Sequence, residues 1–67
     1  MPSADELRER LEDIGEALAD LAMDALRSAL EDGDDDAKDR ERRLTRARRS
    51  VEKAAALLAD RADRSDT

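Results

Sequence analysis

Sixty-seven residues allow a single domain near the lower limit for a self-sufficient core. Nearly half the chain is charged, with a net charge of −6, and it has no Cys, His, Trp, Tyr or Phe. The core must therefore be aliphatic, and disulfides, thiolate nucleophiles and imidazole ligands are excluded. Thirteen Ala and nine Leu beside so many charges match the bias of long helices and coiled coils. No apolar run approaches a membrane span or the core of a signal peptide, which predicts a cytoplasmic protein with no membrane partner. Eleven Arg against two Lys suggest the codon usage of a GC-rich bacterial genome.

The chain opens on a capping box, "SADE" at 3–6: Ser3 can accept from the Glu6 amide, and the Glu6 carboxylate can reach back. Pro2 precedes it, where a missing amide does no harm. Helical periodicity then predicts a first helix over about 4–31. Along it Leu7, Leu11, Ile14, Leu18, Leu21 and Ala25 follow a 4-3 spacing, the stripe expected to face a partner helix. Beside it runs a second apolar stripe of Gly15, Ala19, Ala22, Met23, Leu26 and Leu30. The combined arc is about twice the roughly 100° usual for a helix packed on one side. Gly15 inside a helix costs about 1 kcal/mol relative to Ala, which asks for a compensating gain. The second stripe is thus the expected oligomer interface.

An acidic turn is predicted at 32–35. Gly33 suits a left-handed C-terminal cap, and an Asp among 34–36 suits the N-cap of the next helix. Alternating Asp32, Asp34 and Asp36 offer oxygen ligands, but the turn is too short for an EF-hand and has no twelfth-position Glu, so no metal is expected. The second helix is predicted over about 36–63, with a frayed tail at 64–67. Its stripe, expected to complete the hairpin seam, is Leu44, Ala47, Val51, Ala54 and Leu58. The expected fold is all-α: one domain over 1–67, an antiparallel two-helix hairpin that dimerises into a four-helix bundle.

Charge divides the two helices. Residues 1–36 carry 13 acids and 3 bases, whereas residues 37–67 carry 6 acids and 10 bases. The excess base is concentrated in "RERRLTRARRS" at 40–50. Arg42, Arg46, Arg49 and Lys53 share one stripe pointing away from the seam, read first as a solvated face or one that meets the acidic first helix of a second copy, and, with Arg48, as the candidate face for an anion or a protein partner. Whole-chain acidity and the lack of stacking aromatics argue against nucleic acid.

Glu41, Thr45, Arg48 and Glu52 lie on another stripe of the same helix. It weakly resembles the E-x3-S-x2-R-x3-Q-x3-D motif of the cyclic-di-GMP-binding anti-sigma factors of actinobacteria, which are antiparallel helical hairpins. Glu41 and Arg48 match, Thr45 stands for Ser, Glu52 replaces Gln, and Ala56 stands where Asp belongs. In that family Arg and Asp recognise the guanines and phosphates of the dinucleotide, so Ala56 removes the carboxylate that the resemblance implies for holding a guanine edge. The resemblance spans sixteen residues and does not amount to membership.

Without His, Cys or Tyr there is neither a ready general base near neutral pH nor a thiol nucleophile, and glycine-rich phosphate loops are absent. The sequence therefore predicts no enzyme and no cofactor. It predicts a self-associating binding or regulatory module, a homodimer. A module for a different protein partner, or a nucleotide sensor using the arginine-rich face, is the alternative.

Overall fold

The computed structural model describes the backbone of residues 1–64 and the side chains of residues 1–59. Two helices, α1 (Ala4–Asp32) and α2 (Asp35–Arg64), pack against each other along their length, and no strand occurs among the described residues. The hairpin measures 51 × 23 × 13 Å between Cα atoms along its principal axes, two helices wide and one helix thick.

The start of α1 and the two ends at the turn follow from local chemistry. Ser3 is extended (φ −81°, ψ 165°), and its hydroxyl accepts from the Glu6 amide at 3.1 Å. Asp5 and Glu6 place negative charge at the positive end of the helix dipole. At the other end Gly33 adopts φ 62°, ψ 30°, a left-handed cap that a side chain would resist. Asp34 then starts α2 by accepting from the amides of Asp36 at 2.9 Å and Ala37 at 3.3 Å. The connection is therefore only Gly33 and Asp34, and each helix runs one residue further into the turn than its pattern predicts. The last residues of the expected frayed tail, 65–67, lie outside the described residues.

The seam between the helices is made of small residues. Gly15, Ala22, Ala25 and Ala29 are the buried residues of α1, and Ala37 and Ala55 are buried on α2. Ala37 has no exposed surface and Ala25 only 2%. With Arg8, Leu11 and Leu18, all half-buried, these residues of α1 run at alternating 4 and 3 spacing, 8-11-15-18-22-25-29. The matching line on α2 is 37-41-44-48-51-55-58. Both are heptad stripes, so the two helices cross at the shallow angle of a coiled coil.

This seam sits between the two stripes expected for α1. Leu11, Leu18 and Ala25 from the first stripe reach it, as do Gly15 and Ala22 from the second, whereas Leu7, Ile14 and Leu21 stay exposed. The physical reason is size: interaxial distance depends on the side chains at the contact, and Gly and Ala let backbones approach most closely. An ideal Cβ on Gly15 would meet Val51 Cγ1 at 3.8 Å and Glu52 Cγ at 3.9 Å. That fixes the register, with residue 15 level with residues 51 and 52, so facing residues sum to about 67.

Candidate association surface

In an antiparallel pair of heptad helices, the positions flanking one edge of the seam in α1 share a side of the hairpin with the equivalent positions of α2. The hairpin thus has two broad faces, and they differ in chemistry.

The first face is polar along most of its length. Three seam residues carry polar groups, and each is tied to a residue four positions on that lies toward this face. Arg8 pairs with Glu12 at 3.1 Å, the Thr45 hydroxyl donates to Glu41 at 2.6 Å, and Arg48 pairs with Glu52 at 3.1 Å. Between these groups lies an open groove of about 530 Å³ floored by Gly15, Ala19 and Ala55, with Glu12, Glu16, Arg48 and Glu52 on its walls. Three carboxylates around one guanidinium make its wall net negative. Toward the turn the same face becomes apolar: Met23, Leu26 and Leu30 line a shallow hollow, and Leu30 is 77% exposed.

The second face is apolar from the open end of the hairpin to about the level of Leu21 and Leu44, beyond which Ser28 and Arg40 hold the flanking positions. On α1 it presents Leu7, Leu11, Ile14, Leu18 and Leu21; on α2 it presents Leu44, Ala47, Val51, Ala54, Leu57 and Leu58. Leu7, Ile14, Leu21 and Leu57 are exposed, with Ile14 at 49% and Leu21 at 52%, and Leu11, Leu18, Leu44, Val51 and Leu58 are only half-covered. Ala47 is exposed and Ala54 half-buried. The flanking members of the two stripes expected for the seam, Leu7, Ile14, Leu21, Ala47 and Ala54, thus lie side by side on one surface, with their half-covered partners at its edge. No large side chain is fully buried among the described residues. The hairpin by itself therefore covers mostly alanine and leaves its leucines half in water.

The arginine stripe lies on the outer surface of α2. Arg42, Arg46, Arg49 and Lys53 are exposed, and among the described residues none of them forms an ion pair. Arg48, grouped with them from sequence, belongs instead to the seam edge and is engaged by Glu52. The Glu41–Thr45 and Arg48–Glu52 contacts join the four residues of the cyclic-di-GMP-like stripe into two internal pairs. In the turn, the Asp34 carboxylate is occupied by two amides, and no cluster of carboxylates among the described residues is placed to hold a metal ion. No described helix is long and apolar enough to cross a membrane.

Of the residues assigned from sequence to the seam, Leu11, Leu18, Ala25, Leu44, Val51 and Leu58 lie on its line, whereas Leu7, Ile14, Leu21, Ala47 and Ala54 flank it; Leu57 was not singled out. The signal that separates seam from flank was present: Arg8, Gly15, Ala22 and Ala29 recur at seven-residue spacing, and no large aliphatic interrupts them. Comparison with protein-family models, curated proteins and solved structures finds no match to this chain.

Proposed function

We propose that this chain is a non-enzymatic helical-hairpin module that works as a homo-oligomer, most simply a dimeric four-helix bundle, in binding or regulation. One observation carries the reading: on one open face of the hairpin Leu7, Ile14 and Leu21 are exposed and Leu11, Leu18, Leu44, Val51 and Leu58 only half-covered, where a core would bury them. A contiguous exposed apolar surface of this kind marks an interaction site in a soluble domain. A chain of this length with no disulfide rarely supplies enough core alone, and a second copy presents an identical apolar face. Sedimentation at micromolar concentration tests the reading, with refractive-index detection because the chain has no Trp or Tyr. A dimer is expected, with a thermal midpoint that rises with protein concentration as mass action requires. A folded monomer whose midpoint ignores concentration would defeat it.

A second reading rests on the unpaired cations. Arg42, Arg46, Arg49 and Lys53 form an outward ridge without carboxylate partners among the described residues. Such a ridge would suit an acidic segment of another protein or an anionic ligand such as a nucleotide. A screen of acidic peptides and nucleotides by calorimetry tests it. Salt-sensitive binding lost on replacing Arg42, Arg46 and Arg49 with Gln would support it, and no binding in the screen would remove it.

A further inference from the structure

We propose that two copies join through the apolar faces with both turns at the same end, so that α1 of one copy lies over α2 of the other. This rests on the self-association reading and adds the face, the orientation and the residues that select it. Two twofold arrangements can bring these faces together. With the turns at the same end, α1 crosses to the second copy's α2. With the turns at opposite ends, α1 meets α1 and α2 meets α2.

Side-chain size separates the two. The ridge of α1 that points straight out of the face is Leu7, Ile14, Leu21 and Ser28, and the equivalent ridge of α2 among the described residues is Arg40, Ala47 and Ala54, with Arg40 level with Ser28. Facing residues sum to about 67 in the hairpin, and a twofold axis parallel to the helices preserves that register. Ile14 then sits over Ala54 of the second copy and Leu21 over Ala47 of the second copy, large against small. The opposite arrangement sets the large ridge against itself and the alanines against each other, crowding one half and leaving voids in the other.

Charge points the same way. The α1 half of the chain is strongly acidic and the α2 half basic, so crossed helices place unlike charges together whereas the alternative pairs like with like. At the rim of the face Asp24 of α1 falls level with Arg43 of the second copy's α2, and both are exposed. The face, bounded by extents of 51 and 23 Å, is large enough to bury the about 800 Å² per partner of a standard interface.

Spin labels on Asp35→Cys test the orientation directly, because the chain has no other cysteine and Asp35 is exposed at the turn. The two α2 helices lie diagonally across the bundle, so a separation of about 14 Å between backbones plus the labels is expected. A separation of about 40 Å, the length of a helix, would overturn the orientation and leave the dimer standing. Absence of any dipolar coupling, with a monomer mass, would overturn both. Charge exchange adds a second measurement. Asp24→Arg and Arg43→Asp should each weaken dimerisation by up to about fivefold per rim pair, and the double variant should recover it. Dissociation caused by Leu26→Glu but not by Ile14→Glu would place the contact on the other face and defeat the proposal.

Discussion

Two glycines, eighteen residues apart, should respond in opposite directions to the same substitution. Gly33 holds φ at 62°, where a Cβ is strained whatever space surrounds it. Gly33→Ala should therefore destabilise the hairpin by about 1 kcal/mol, read as a fall in thermal midpoint at fixed protein concentration. Gly15 is helical, and its absent Cβ would meet Val51 and Glu52 at ordinary van der Waals distances. Gly15→Ala should stabilise by about 0.5–1 kcal/mol, because the helix gains propensity and nothing must move. A fall in midpoint for Gly15→Ala would mean that the helices approach more closely there than the 3.8 Å contact implies. The role of Gly33 was legible in sequence, since a Gly after a long periodic run and before an Asp cluster has few other uses. That of Gly15 was not: its cost suggested a tight external contact, whereas it lies in the hairpin's own seam with room for a methyl.

At the scale of the helix, the number of elements, their limits to within a residue or so and their pairing were all written in the pattern. Ser3, Gly33 and Asp34 punctuate it with unambiguous chemistry. What periodicity could not supply was which part of a wide apolar arc turns inward. The leucine spacing singles out the Leu7–Leu21 stripe, while helix approach rewards alanine and glycine over leucine, and in α1 the seam settles between the two stripes. A pair of substitutions separates the roles. Ala25→Glu forces a charge into the seam, where the native residue is 2% exposed, and should cost several kcal/mol and remove helix at every concentration. Ile14→Glu changes a half-exposed flank residue. It should lower the molar mass first, and any loss of helicity should be reversed by raising the concentration. The reverse order of effects would put Ile14 in the seam and Ala25 on the outside.

For the whole molecule, the distribution of charge sets the response to salt. The arginine ridge formed by Arg42, Arg46, Arg49 and Lys53 lies on the outer surface of α2, away from the apolar face. If the apolar faces meet, these groups remain in solvent in the assembly, and those beyond about 10 Å from the acids of the second copy are screened at 0.1 M salt. Replacing Arg42, Arg46 and Arg49 together with Gln should then change the dimer dissociation constant by less than the rim exchange of Asp24 and Arg43 does. Added salt should still weaken the wild-type dimer modestly, because the acidic and basic helices attract across the interface before they are screened. Sedimentation of the triple variant and of the Asp24→Arg variant, each at low and high salt, separates the two sets of charges. A triple variant that dissociates as readily as the rim variant would bring the ridge into the interface. An unchanged dimer would leave the three exposed arginines without a structural task in the assembly, and would make that ridge the place to seek an anionic partner.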